Sequence, residues 1–344
     1  MIAARFHEHG GPEVLKIESI PIPEINDNQL LVEMRATALN HLDIWVRRGI
    51  PGVPLPMIPG SDGAGIVRTV GNNISAYLPG DEIMIQPLLY CGECDLCRNG
   101  HENHCSAFGI LGETCNGTCA NFIAVEEKNI IKKPPQLSFI EAAGFSLVAQ
   151  TSYEMLVMRA KIKSGETVLV WGASSGVGSM AVQIAKTFDC HVIAISSTEE
   201  KCKIIQSLGA DKTINHKNGN VYENIMDYTN GLGVNIVFEH VGQATWDTSM
   251  KVLKKGGRVV TCGATTGQKA NINLTHVFYK QLSILGSTMG SAKAMSDVVK
   301  LLTQGKIKPV VDKVFSLGSI QDAHLYLESG NQFGKVIIEV PNES

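Results

Sequence analysis

No apolar run in this chain approaches the roughly 20 residues of a membrane-spanning helix, which excludes a helical membrane protein. Charge of one sign is missing too. Thirty Lys and Arg stand against 33 Asp and Glu, a formal net charge of -3, so no basic surface is on offer to nucleic acid or an anionic membrane. There is no internal repeat and no low-complexity segment. The opening residues Met1-Ile-Ala-Ala-Arg-Phe-His-Glu-His9 lack the apolar core of a signal peptide, so the expected compartment is the cytoplasm. What remains is ordinary: 344 residues, 44% hydrophobic and 18% charged, long for one core and suited to two domains.

Nine cysteines are an odd number, and four of them crowd into one loop. Cys91-Gly-Glu-Cys94-Asp-Leu-Cys97 is followed by Cys105, which is the spacing of a tetrahedral metal shell rather than a disulfide scaffold. All four places are filled by protein, leaving no open position for water or substrate. The expected ion is a structural zinc. His101 and His104 lie in the same loop and can act as substitute ligands.

The chain before about residue 126 is rich in Pro, Gly and short alternating runs such as 29–35. Pro51, Pro54, Pro56 and Pro59 forbid a long helix there. This part reads as an irregular β-rich domain. A helical stretch spans 139–159, and βα alternation then begins. Strands are expected at 168–171, 192–195, 235–238, 258–262 and 283–285, the pattern of an α/β doubly wound parallel sheet. Helices at 297–304 and 320–328 and a strand at 335–340 return the chain to the first domain.

Within that alternation, Thr167-Val-Leu-Val-Trp171 is a short buried-strand run followed by Gly172, Gly176 and Gly178. A helix with an apolar face at Val182, Ile184 and Ala185 comes next. Strand, glycine turn and helix N-terminus together bring free backbone N–H groups and a positive dipole end to one spot, a site for a pyrophosphate. The spacing is G-x-x-x-G-x-G rather than G-x-G-x-x-G. Ser196 ends the next strand, where an acid would hold the adenosine ribose of NAD. With Ser197, Thr198 and Lys201 beside it, the pocket accepts a 2′-phosphate, which favours NADP(H) over NAD(H). Glu199 and Glu200 oppose this if they turn inward.

The cysteine loop, the Gly-Val-Gly turn and the segment Pro59-Gly-Ser-Asp-Gly-Ala-Gly65 together resemble the medium-chain dehydrogenase/reductase superfamily. The likeness covers essentially the whole chain, including Gly334-Lys-Val-Ile-Ile338. It implies a GroES-like catalytic domain built from both chain ends, here 1–146 and 286–344, with the zinc lobe at about 91–105. A Rossmann nucleotide domain at 147–285 completes it, with the active site in the cleft between them. Zinc alcohol dehydrogenases of the superfamily hold a catalytic zinc on a Cys-x-x-Asp cysteine, a Gly-His-Glu histidine and a later cysteine. Asn40, Ser61 and, near the third place, Leu147 stand there instead, and a register slip offers only Ser146 or Val148. Amide, hydroxyl and alkyl groups do not hold zinc. Leu42 also replaces the hydroxyl that relays the alcohol proton in those enzymes. The pattern Asn40-His41-Leu42-Asp43 is like that of the quinone and enoyl reductases.

The resemblance implies hydride transfer from the cofactor to an activated C=C of an enone or enoyl thioester, or to a quinone, with no catalytic zinc. Asn40, Ser61 and His41 are the candidate catalytic residues, as donors to a developing oxyanion. Tyr153 is a further candidate donor, while Asp43 and Asp62 fix loops. The cofactor candidates are Thr151, which matches the family threonine beside the nicotinamide, then Gly172, Ser175, Gly176, Val177, Gly178, Ser196, Thr198 and Lys201. Cys262, Gly263, Gly286 and Ser287 join them from loops at strand ends. Cys115 and Cys119 read as a redox pair, as substrate-side thiols or as buried filler. Two other functions stay open: an alcohol dehydrogenase with atypical or no metal, and a non-enzymatic NADPH-binding protein. The resemblance further implies a homodimer or homotetramer joined at the edge strand near 282–286, with a small-molecule substrate as the only other partner.

Overall fold

The strand Gln29–Leu39 organises the first part of the molecule, and its 11 residues are long enough to serve two partners along one edge. Its first half pairs antiparallel with Phe122–Glu126 and its second half with Lys335–Glu339. Asp62–Val70 runs antiparallel along the opposite edge. Together with Glu82–Ile85, Ile130–Lys132 and Val311–Ser316 these strands make a seven-stranded sheet. By the two-residue period of a strand, Leu30, Val32 and Met34 share a face, and they enter one core with Phe6, Ile83, Val336 and Ile338. Register then decides what meets at the sheet's end. Ala38 lies opposite Asp62 and Leu39 opposite Val336, so Asn40, Asp62 and Lys335 gather where three neighbouring strands stop or start.

The computed structural model describes residues 1–341. It divides into two compact units, Met1–Leu147 with the chain from Pro309 onward, and Val148–Lys308. The expected return to the first domain at 286 comes later, and residues 286–308 stay in the second unit. The reason is packing. Ser283–Gly286 pairs with Leu253–Thr261, and the helix Ala292–Thr303 buries Ala294, Met295, Val298 and Leu302. Gln150 donates to the carbonyls of Gly290 and Ser291, and Gln183 closes on Lys308 through two hydrogen bonds.

The second unit is a six-stranded sheet. Its order is Lys212–Asn215, His191–Ser196, Thr167–Val170, Val234–Glu239, Leu253–Thr261, Ser283–Gly286, and every pairing is parallel. That order is the doubly wound nucleotide-binding arrangement, with its crevice at the carboxyl end of Thr167–Val170. Lys212–Asn215 is missing from the expected strands because Lys-Thr-Ile-Asn carries one apolar residue, enough only for a sheet edge. The expected helix over 139–159 is interrupted. Phe139–Ala143 starts on a reciprocal Ser138–Glu141 cap and stops at Gly144. Ser146–Tyr153 follows and widens into a π-helical turn at Glu154–Arg159. The short helix His41–Arg48 is among the elements outside the expected ones. The Asp43 carboxylate reaches back to accept the Asn40 backbone N–H at 2.7 Å and closes its first turn.

Candidate active site

Lys335 heads the strand Lys335–Glu339 just before Val336-Ile-Ile338, yet only 3% of it is exposed. Its ammonium donates to Asn40 Oδ1 at 2.6 Å and to Asp62 Oδ2 at 2.9 Å. Asn40 Nδ2 donates to the same Asp62 oxygen at 3.0 Å, closing a triangle. The other carboxylate oxygen of Asp62 accepts the Leu147 backbone N–H at 2.7 Å. Asp62 is fully buried, and a buried ion pair holds only when its remaining lone pairs are satisfied in this way. Asp43 accepts backbone N–H groups from Asn40 and Gly60, and burial raises its pKa to about 6 in spite of those donors. So Asp43 ties two loops together, and Asp62 does more, since it also pairs a cation. Lys335 belongs to the segment Gly334–Ile338, yet its place in the site is not evident from the sequence. The signal available was a lysine opening a strand that must be buried on both sides.

Ser61 is fully buried and its hydroxyl has no partner; the Ser146 hydroxyl is equally buried and equally unpaired. Unsatisfied buried hydroxyls are costly and point to a missing hydrogen-bond partner. The chain at Ser61 is held from behind. Gly117, Thr118 and Cys119 donate their backbone N–H groups to the carbonyls of Ile58, Gly60 and Pro59. A Cβ on Gly117 would stand 2.0 Å from the Gly60 oxygen, so only glycine allows this approach. The Thr118 hydroxyl donates to the Asp62 carbonyl. Cys119 is buried beside Thr37, and burial pushes its thiol pKa far up; Cys115, four residues earlier, is exposed. His41 is exposed at the start of its helix, its ring edge-on to Trp45 at 5.7 Å, unlike the buried Asn40 and Ser61.

In the second unit the helix Gly176–Thr187 starts on Ser175, whose hydroxyl accepts the Gly178 N–H at 3.0 Å. The amides of Gly176 and Val177, at the open end of that helix, are left for an anion. Gly178 must be glycine, because a Cβ there would lie 2.3 Å from the Gly172 oxygen. The His240 ring lies against Gly172 and bonds the Trp171 carbonyl at 2.9 Å, and burial lowers its pKa. Glu239, fully buried, is satisfied by Val241, Gly242, Thr245 and Ser249. Ser196 ends its strand with a buried, unpaired hydroxyl, and Thr198 caps the next helix by accepting the Lys201 N–H. The Glu199 carboxylate accepts from the side-chain amides of Asn215, the register partner of Ser196, and of Asn218. Thr151 is buried in Ser146–Tyr153, Cys262 and Gly263 follow Leu253–Thr261, and Gly286 accepts from Arg159. The Ser287 hydroxyl is buried and unpaired. Tyr153 is packed, with burial raising its pKa.

The sulfurs of Cys91, Cys94, Cys97 and Cys105 all lie within 4.8 Å of one another. Neighbouring pairs stand at 3.5 to 3.8 Å. A tetrahedron with zinc–sulfur bonds of about 2.3 Å has edges of about 3.8 Å, so the four thiols fit that ion. Backbone N–H groups of Cys91, Cys94 and Ala107 donate to these sulfurs, as an outer shell would. Among the described residues, this is the one grouping of His, Cys, Asp or Glu that converges so closely.

Residues 26–135 match the alcohol dehydrogenase GroES-like domain, and residues 176–304 match the zinc-binding dehydrogenase family. The chain belongs to the medium-chain dehydrogenase/reductase superfamily. It is therefore an oxidoreductase that uses a pyridine nucleotide. The crotonyl-CoA carboxylase/reductase of Cereibacter sphaeroides is 33% identical over 94% of this chain and 83% of its own length. The quinone oxidoreductase of Homo sapiens is 30% identical, over 98% of this chain and 97% of its own. The crystal structure of an NAD-dependent alcohol dehydrogenase superposes with a TM-score of 0.96 at 40% identity, covering 99% of this chain and 100% of that one. No helix among the described residues is long and apolar enough to cross a membrane.

Proposed function

We propose that this superfamily member delivers hydride from NADPH to an activated C=C, in an enone or an enoyl thioester, or to a quinone, with no metal at the reacting centre. One observation carries the reading: the Lys335 ammonium sits on Asn40 and Asp62, beside the places where zinc members of the superfamily present metal ligands. That ammonium and the Asn40 amide share Asp62 Oδ2, and the Leu147 N–H takes the other oxygen, so the nearby carboxylate is already engaged. Asn40, Ser61 and Leu147 offer no thiolate, imidazole or carboxylate in its place. The nicotinamide, when bound, supplies the hydride. The Asn40 amide and the unpaired Ser61 hydroxyl then donate to the oxygen on which negative charge develops. His41, exposed at a helix start, is assigned to the cofactor rather than to that oxygen.

The preference for NADPH rests on Ser196, whose unpaired hydroxyl takes the place of a ribose-binding acid, and on the Glu199 carboxylate being engaged by the side-chain amides of Asn215 and Asn218. The names of the crotonyl-CoA and quinone relatives support the substrate class. The four-cysteine cluster is assigned a structural zinc, and thiolates held open in this way suit a reducing, cytoplasmic setting. We assign self-association to the sheet edge Ser283–Gly286, where Ile284 is exposed, as are Leu274, Phe278 and Tyr279 on the preceding helix Leu274–Lys280. A second reading, alcohol dehydrogenase, is favoured by the 40% identity to the alcohol dehydrogenase structure. NADPH oxidation against a panel of quinones, enones and enoyl-CoA esters tests the first reading. Turnover confined to alcohols and aldehydes would establish the second.

A further inference from the structure

Lys335 lies in the segment Gly334–Ile338 and is buried, and burying an ammonium demands a reason. Its two contacts define one. Lysine only donates hydrogen bonds and a carboxylate only accepts them, so the Asn40 amide between them has one permitted orientation. With Oδ1 on the ammonium and Nδ2 on Asp62, every contact pairs a donor with an acceptor. Flipped, the amide would set NH2 against NH3⁺ and oxygen against carboxylate. The triangle also selects which hydrogen is used. Because Lys335 bridges Asn40 Oδ1 and the same Asp62 Oδ2 that Asn40 contacts, the N–H on the Oδ1 side is consumed inside the ring. The N–H on the far side is left over, with a fixed direction.

We propose that Lys335 is a positioning residue, which together with Asp62 locks the Asn40 amide so that its remaining N–H is aimed at the substrate oxygen. It does this by fixing one donor in advance of the reaction, the condition under which such a donor is worth most. The proposal rests on the reading of Asn40 as oxyanion donor. It adds that Lys335 works through Asn40 and does not itself touch the substrate.

The experiment is a cycle of Asn40→Ala, Lys335→Met and the double variant, with kcat and KM for the enone or quinone turned over and NADPH affinity by fluorescence titration. Asn40→Ala should lower kcat on the order of 10²-fold, the usual loss for one oxyanion donor. Lys335→Met should lower kcat comparably, with KM and NADPH affinity within about threefold. The double variant should be no slower than Asn40→Ala alone, because the two residues act as one unit. Lys335→Arg keeps charge and donors and should recover most of the loss. If Lys335→Met folds poorly, Lys335→Met with Asp62→Asn removes the unpaired buried charge; it should restore the melting temperature and leave kcat low. An unchanged kcat in Asn40→Ala overturns the oxyanion reading itself. A large loss in Asn40→Ala with normal kcat in Lys335→Met overturns only the positioning role. So do losses that multiply in the double variant, a kcat restored along with stability, or an effect of Lys335→Met confined to NADPH affinity.

Discussion

Asp43→Asn should make the protein's stability less sensitive to pH in a direction opposite to that of most carboxylates. The Asp43 carboxyl is buried, and its pKa rises from 3.8 to about 6 because burial outweighs the Asn40 and Gly60 N–H donors and the Lys335 charge. A folded-state pKa above the unfolded value means that the folded chain holds the proton more tightly. The group therefore costs stability as pH rises from about 4 to about 6, and the cost is constant above that window. A shift of about 2 units at about 1.4 kcal/mol each gives about 3 kcal/mol in total, of which about 2 kcal/mol falls between pH 4.5 and 7. The amide that replaces the carboxyl does not titrate, so it changes the absolute stability by an amount independent of pH. The difference between wild type and variant then isolates the titration. Urea unfolding at half-unit intervals from pH 4.5 to 7 measures it. Wild type should lose about 2 kcal/mol relative to Asp43→Asn across that range. A flat difference, or wild type gaining on the variant as pH rises, would mean that the backbone donors win over burial and would refute the reasoning.

Ser196→Asp should cut kcat/KM for NADPH at least about tenfold and raise it for NADH, in steady-state assays with both cofactors. Gly178→Ala should abolish NADPH binding by fluorescence titration, since the new Cβ would stand 2.3 Å from the Gly172 backbone oxygen. Cys97→Ser, or chelation of wild type, should release the zinc and lower the melting temperature, while NADPH affinity stays within about threefold. Ile284→Lys should shift the protein to a smaller species in sedimentation velocity without loss of NADPH binding.

Much of the fold was legible because local pattern and global architecture agree. Short apolar runs such as Thr167–Val170 and Val234–Glu239 are buried on both faces and announce parallel strands; glycine punctuation at 172–178 announces the turn between strand and helix. Lys212–Asn215 was invisible for the converse reason, since an edge strand needs little apolar surface. The helix His41–Arg48 hid behind its cap, because Asn40-His-Leu-Asp43 reads equally as a loop. The four cysteines were legible from spacing alone, as chain geometry over 15 residues leaves few other ways to use them. Residues 40, 61 and 147 could be recognised as unsuited to metal. What stands against Asn40 and Asp62 could not, because Lys335 arrives from 273 residues away through strand pairing. Sequence periodicity sees one strand at a time, whereas that triangle exists only once three strands are in register.

Zinc content of the active, purified enzyme tests the central claim most directly, measured by mass spectrometry of metals beside the rate of NADPH-dependent reduction. One zinc per chain is expected at full activity, carried by Cys91, Cys94, Cys97 and Cys105. Two zincs per chain, with activity rising in step with the second, would contradict it.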